Sequence, residues 1–386
     1  NEIDDAMHDS VEHHKISDVE VGSFLSSGVD SSYVAATFNG DKTFTVGFDY
    51  EKYNEINYAK ALSDKIKIDN YSKLVSSEEY WAAIPKIQYH MDEPLADPAA
   101  IALYFVCNIA SKQLKVVLSG EGADEIFGGY NVYSEPDGTA YDKLPMGLKR
   151  GIGHICEHLP AQKGVNFFVR KGKTLEERFI GNAYMFTPEE RKALLKITTS
   201  APDPTVITKP FYDKVKDKDD VTKMQYLDLH LWMTGDILLK ADKMSMANSL
   251  ELRVPFLDKK VMEVAEKIPR RYRVTHSEVT DEHTKYITKY AMRLAAKKDT
   301  PPQTAKTASK KKLGFPVPIR VWLKEDKYYD FVKERFTSPV ADHFFNTELL
   351  VKLLDEHKEG KKDNSRKIWT VFIFLVWYKV YFEDKI

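Results

Sequence analysis

An α/β fold, a parallel sheet with helices on both faces running into a mainly helical C-terminal part, is what this sequence predicts. Three observations carry that expectation. From about residue 19 to residue 134, short β-branched runs alternate with helical stretches at the spacing of βαβ units. The run KVVLS at residues 115–119 is short, continuous and apolar, as a strand buried on both faces requires. Two turns rich in Ser and Gly each stand just past a strand candidate, and parallel sheets place their ligands at the carboxyl ends of strands.

In chain order, residues 19–25 read as a strand and residues 31–38 as the start of a helix. Residues 43–48 are a second strand and 58–66 a second helix; residues 71–75 and 78–88 repeat the alternation more weakly. Residues 99–113 are apolar and helical, and residues 115–119 close the series. After about residue 135 longer helical segments follow, with no strand of comparable strength, so a boundary is expected there: an α/β core over 18–134 and a helical part over 135–386. Residues 299–318 are polar, basic and interrupted by four prolines, which reads as a loop. The apolar run at residues 368–378 is 11 residues long, well short of the roughly 20 that span a bilayer, and is expected as a core helix.

Composition narrows the function classes. With 57 basic and 58 acidic side chains the net charge is −1, so no global field favours nucleic acid or an anionic membrane, and an anionic ligand must be held locally. Eighteen Gly and 17 Pro among 386 residues, with 12% aromatics, exclude disorder and collagen-like repeats as the main content. Cys107 and Cys156 lie in apolar surroundings, are expected as packing residues, and fit a reducing, cytoplasmic compartment. The first residues show no basic region followed by an apolar stretch, and no initiator Met, which suggests a processed chain or a fragment.

The first turn is Ser26-Ser27-Gly28-Val29-Asp30-Ser31-Ser32. Small residues let backbone N–H groups approach an anion, Ser hydroxyls add donors, and a helix N-terminus adds partial positive charge, which together make a phosphate cradle. A serine-rich turn that merely caps the helix is the plainer alternative. Asp30 tips the balance, because a carboxylate beside bound phosphate needs a divalent cation between them. The second turn, Ser119-Gly120-Glu121-Gly122-Ala123-Asp124-Glu125, puts three acids within five residues, which is costly unless a cation pairs them. Acids favoured by a helix N-terminus are the competing account. Side by side at one sheet edge, the two turns read as an ATP–Mg²⁺ site.

Here the chain resembles a known family. SSGVDSS looks like the pyrophosphate loop of the ATP pyrophosphatases (adenine nucleotide alpha hydrolase-like fold), and SGEGADEIFGGY like the matching segment of glutamine-hydrolysing asparagine synthetases. The likeness continues through LLKADKMSMANSLELRVPFLD at residues 238–258 and ends at Lys312-Leu313-Gly314-Phe315 with Pro316, Pro318 and Trp322. The resemblance implies an AMP-forming carbon–nitrogen ligase of amino-acid biosynthesis, an amidotransferase in which the side-chain carboxylate of aspartate attacks the α-phosphorus of ATP and ammonia then displaces AMP. By motif, Ser26, Ser27, Gly28, Asp30 and Ser31 would hold pyrophosphate, and Asp30 and Asp124 would bind Mg²⁺. Leu25, Val46, Ser119 and Gly120 would line the nucleotide pocket, with Glu121 and Lys312 as the catalytic pair. It also implies a partner, an N-terminal glutaminase domain that makes the ammonia, with residues 1–17 as the tail of a linker from it. A homodimer is compatible with this reading, and neither nucleic acid nor membrane is expected as a partner.

Two departures from the family pattern stand out. Ser27 occupies a glycine position, so the cradle survives only if that residue avoids positive φ. Residues 92–102 (DEPLADPAAIA) lack the Thr-Thr-x-Arg pattern of the aspartate site, which keeps open a relative acting on another carboxylate, such as a β-lactam synthetase. A nucleotide sensor without catalysis would show damage at Asp30, Glu121, Asp124 or Lys312, and all four are intact. Lys310 to Lys312 could otherwise be a solvated basic loop, and Lys240, Asp242, Glu251 and Arg253 either touch substrate or join helices by ion pairs. Gly172-Lys173-Thr174 lacks the first glycine of a Walker loop, and His154-Ile155-Cys156-Glu157-His158 has an inverted zincin spacing without an evident third ligand.

Overall fold

A computed structural model of the chain describes residues 1–50, 53–134, 140–159, 164–197, 201–276, 286–300 and 317–383. Its centre is a five-stranded, fully parallel sheet in the order β3-β2-β1-β4-β5. The strands are β1 (Val21–Phe24), β2 (Lys42–Phe48), β3 (Asp69–Val75), β4 (Val116–Leu118) and β5 (Glu251–Arg253). Helices α2 (Val29–Phe38), α3 (Ile56–Ile66), α4 (Ser77–Met91) and α5 (Ala99–Ser111) supply the crossovers between β1 and β4. The βαβ alternation therefore stands, with ends shifted by a few residues.

Burial explains which sequence signals were strong. On β2, every residue after Lys42 is buried, because helices cover both faces of this strand; β3 lies at the sheet edge and alternates, which is why its pattern was weak. Ser76 caps α4 by accepting from Glu79 N–H at 3.1 Å, while Glu79 reaches back to Ser76 N–H at 3.2 Å.

Residues 1–17, expected as the tail of a linker, include helix α1 (Glu2–His14), with Met7 and Val11 fully buried in a cluster with Val34, Phe38 and Val261. One expectation is corrected. The helical part was expected to carry no comparable strand, yet Glu251–Arg253 supply β5, paired with β4 in register Val117 to Leu252. Three residues are too few to show a period, so nothing in the sequence marked them. Arg253, whose role the sequence left open, donates to the carbonyls of His14 at 2.7 Å and Ile16 at 2.8 Å and ties the end of α1 to the sheet.

The part after residue 135 is mostly helical, with a small antiparallel pair, β6 (Val274–His276) and β7 (Tyr286–Thr288), beside it. Residues 368–378 belong to the helix Ser365–Tyr378, as expected of a core helix. One apolar cluster takes Phe44, Phe48 and Val117 from the sheet together with Trp322, Phe336, Leu354 and Trp369 from the later helices. Cys107 is buried, whereas Cys156 is only half-buried on the helix Met146–Glu157, so the packing role expected of both holds fully for one. Among the described residues no helix is long and apolar enough to cross a membrane.

Candidate nucleotide and metal site

The chain runs outward from β1 to β2 and β3, then returns to lay β4 on the other side of β1. That reversal opens a crevice at the carboxyl ends of β1 and β4. The two motif turns stand there. Ser26 to Gly28 lead into α2, with Gly28 as its N-cap in an extended conformation; Ser119 to Gly122 lead from β4 into the short helix α6 (Ala123–Phe127).

The first turn is held in shape by its own hydroxyls. Ser26 N–H donates to Ser31 Oγ at 3.0 Å, the two hydroxyls lie 2.8 Å apart, and Gly28 N–H donates to Ser26 Oγ at 3.1 Å. Ser27 is not among the described non-glycine residues with positive φ, so its departure from glycine leaves the turn intact; its hydroxyl donates to the carboxylate of Glu55. Leu25 and Val46 are 2% and 3% exposed, so what they offer a ligand at this edge is backbone. Ser119 is buried, and its N–H donates to Arg253 carbonyl at 2.8 Å.

Gly120 is where the turns meet. A Cβ there would lie 2.8 Å from Ser31 N and 3.1 Å from Asp30 Cβ, so any side chain wedges β4's turn away from the cradle. Gly120→Ala is expected to weaken ATP binding by about tenfold or more, with a stability loss of about 1–3 kcal/mol from overpacking. Nucleotide titration and urea unfolding of the variant check both numbers.

Asp30, in the first turn of α2, and Asp124, in the first turn of α6, converge on one cation that sequence reasoning missed. Lys289 Nζ lies 2.6 Å from Asp30 Oδ2 and 2.7 Å from Asp124 Oδ1, with the lysine side chain 1% exposed. Gly129 makes the approach feasible, since a Cβ there would fall 1.8 Å from Asp124 Oδ1 and 2.1 Å from Lys289 Cε. Lys289 follows β7 with φ +53°, a left-handed backbone uncommon for lysine. Nothing in the local sequence YITKYAMR marked it. Asp30 Oδ1 is buried and makes no hydrogen bond among the described residues. Two carboxylates from adjacent turns, one oxygen unsatisfied and a lysine standing where positive charge is needed, suit Mg²⁺, which is commonly bound by one or two carboxylates plus substrate phosphates.

The three acids of the second turn separate. Glu125 is 1% exposed and takes its hydrogen bond from the Tyr130 hydroxyl. Glu121 is half-buried, and burial of its carboxyl pushes it up to about 7, with Lys240 pulling the other way and Glu125, Asp97 and Asp124 adding to the rise. Lys240 resolves one open alternative in favour of an ion-pair network, pairing with Asp97 and lying 3.7 Å from Asp236 Oδ1. Burial alone would raise Asp97, but the Lys240 ammonium more than offsets it and holds the carboxyl below its usual range. Asp242 is exposed.

Both decoys have local explanations. Thr174 caps the helix Leu175–Arg178 in a capping box with Glu177, and Glu157 pairs with Lys173 at 2.9 Å. Lys312, with Lys310, Lys311 and the KLGF motif, lies outside the described residues.

A parallel sheet with a Ser/Gly turn leading into a helix and paired carboxylates at its switch point defines an α/β protein of the ATP pyrophosphatase-like class. Comparison with known proteins is more specific: residues 2–379 match the family model for asparagine synthase, and the chain belongs to that family. Glutamine-hydrolysing asparagine synthetase 1 of Bacillus subtilis (strain 168) is 45% identical over 390 residues, covering 100% of this chain and 60% of that protein. Putative glutamine-hydrolysing asparagine synthetases of Mycobacterium bovis and Mycobacterium tuberculosis are each 41% identical over 392 residues, covering 100% of this chain and 58% of each relative. The chain thus spans about three fifths of the length of these curated relatives.

Proposed function

We propose that this chain is the synthetase part of a glutamine-hydrolysing asparagine synthetase, adenylating the side-chain carboxylate of aspartate with ATP and amidating it with ammonia. The observation that carries the reading is the convergence of the Ser26–Ser31 cradle, the Asp30 and Asp124 carboxylates and Glu121 at one switch point. An aspartate carboxylate oxygen attacks the α-phosphorus, and the bond from that phosphorus to the bridging oxygen breaks to release pyrophosphate. The backbone N–H groups and hydroxyls of Ser26, Ser27, Gly28 and Ser31 receive the pyrophosphate, and Leu25, Val46, Ser119 and Gly120 border the nucleotide. Mg²⁺, when held by Asp30 and Asp124, supplies charge neutralisation at the phosphates. Lys312 adds a further positive charge at the reacting phosphate. Ammonia then attacks the acyl carbon, AMP leaves, and Glu121 accepts the proton lost from nitrogen. In the whole protein a glutaminase domain supplies the ammonia, and the reaction belongs to the cytoplasm.

A second reading, an adenylating enzyme for another carboxylate, draws on one observation: Asp97, in the segment that departs from the family's aspartate pattern, is engaged by Lys240. One experiment separates them. With ATP, Mg²⁺ and ammonium, aspartate is expected to yield AMP, pyrophosphate and asparagine in equal amounts. Turnover with another carboxylate and none with aspartate transfers the assignment to the second reading.

A further inference from the structure

Lys289 has no place in the chemistry proposed above, yet among the described residues it is the most buried ammonium at this edge, and it touches both carboxylates expected to hold the metal. We propose that Lys289 is an internal counter-ion that exchanges with the divalent cation: it neutralises Asp30 and Asp124 when no nucleotide is bound, and passes to the pyrophosphate oxygens when metal and nucleotide enter. The inference rests on the reading of this edge as a Mg²⁺–ATP site.

Four features support it. First, an ammonium at 2.6 and 2.7 Å from the two carboxylates occupies the volume a metal ion would need on the same oxygens. Two cations cannot share that volume without strong repulsion at low local dielectric. Second, Lys289 brings one positive charge to the oxygens of two carboxylates, where a divalent ion would bring two; Arg293 acts on Asp30 and Asp124 through space while its guanidinium donates to the Thr288 carbonyl at 2.7 Å, so it balances the pair without occupying those oxygens.

Third, the backbone of Lys289 is pinned, with its N–H donating to Gly128 carbonyl at 3.3 Å and its own carbonyl accepting from Arg293 N–H at 2.8 Å, so exchange needs only side-chain rotation. Gly129 lets the lysine stem lie against its backbone, since a Cβ there would fall 2.1 Å from Lys289 Cε. Fourth, Asp30 and Ser31 are consecutive, so an ammonium leaving Asp30 is already next to the cradle's hydroxyls and to any phosphate they hold. A flexible amine with a compact charge suits such a hand-over.

The test uses the full chain without nucleotide, comparing wild type with Lys289→Met in titrations with MgCl₂ alone and with pyrophosphate at saturating Mg²⁺, read by calorimetry and by the unfolding midpoint. The variant is expected to bind Mg²⁺ alone at least about tenfold more tightly than wild type, and to bind pyrophosphate at least about tenfold more weakly. Its midpoint should fall without metal and recover with MgCl₂. Adding Asp124→Asn should cancel the gain in Mg²⁺ affinity. Equal Mg²⁺ affinity in the two proteins, unchanged pyrophosphate affinity, or micromolar Mg²⁺ binding by the nucleotide-free wild type overturns the exchange. If Lys289→Met folds only with MgCl₂ present, the exchange is supported; if it stays unfolded with MgCl₂ while Lys289→Arg folds, a fixed structural ion pair replaces it. Wild type that fails to bind pyrophosphate at any Mg²⁺ concentration removes the proposed function instead.

Discussion

Glu121→Gln is expected to reduce amide formation from ammonium by about 10²–10⁴-fold, the usual range for loss of a positioned general base. The same substitution should leave ATP affinity within about twofold, because Gln keeps the volume and the turn's backbone is unchanged. Burial holds the carboxyl near 7, so its basic form is lost as pH falls through neutrality. With hydroxylamine as nucleophile, which is largely unprotonated at neutral pH, the wild-type rate should therefore fall below about pH 7, and the variant should lose that limb. Stability supplies the control. A folded-state carboxyl raised above its ordinary 4.5 binds more protons than the unfolded chain between those values, so its contribution to stability declines as pH rises from about 4.5 to 7. Glu121→Gln removes that decline and should be no less stable than wild type at about pH 8. Inactivity accompanied by lower stability at that pH would make Glu121 a structural residue and sink the catalytic role.

The parts of this site that were legible in the sequence are those confined to one turn. Ser26 to Ser31 and Ser119 to Asp124 are each short, contiguous and flanked by a strand and a helix, so residue chemistry and local structure point the same way. Lys289 reaches the site from more than 150 residues beyond Asp124 and carries no motif, so only the fold brings it there. By residue chemistry alone Glu125 matched Asp124 as a nearby acid and only the family resemblance set Asp124 apart; in the fold the Tyr130 hydroxyl takes up the Glu125 carboxylate. At the level of fold, the sequence pattern clearly found the central strands β1, β2 and β4, whose residues are mostly buried, and found the edge strand β3 only weakly, because β3 alternates between exposed and part-buried residues. The three-residue β5 and helix α1 were missed for opposite reasons. One is too short to display periodicity, and the other is polar on average, with its buried residues limited to one stripe that includes Met7 and Val11.

Trp369→Ala is expected to cost about 3–5 kcal/mol, the range for truncating a large buried aromatic, out of a total stability of about 5–15 kcal/mol. Trp369 is 1% exposed and lies 6.2 Å from Tyr80, 5.7 Å from Trp81 and 5.6 Å from Phe372, centroid to centroid. Tyr80 in turn packs 4.9 Å from Trp322, which meets Phe48 of β2 edge-on at 5.8 Å. An unbroken aromatic path thus joins the helix Ser365–Tyr378 to the central sheet, and the cost of a cavity in it falls on both parts of the chain at once. Urea unfolding should therefore show one cooperative transition in wild type, shifted as a whole to lower urea in the variant, by fluorescence and circular dichroism alike. Function should feel the same cavity, because the Tyr80 hydroxyl donates to the Pro98 carbonyl at 2.9 Å and so fixes the residue next to Asp97, the partner of Lys240. The acceptor KM should then rise before the ATP KM does, since the cradle is held by its own serines. Two separable transitions, with only the second moved by Trp369→Ala, would mean that the later helices fold as an independent unit and that their aromatic contact with the sheet contributes little.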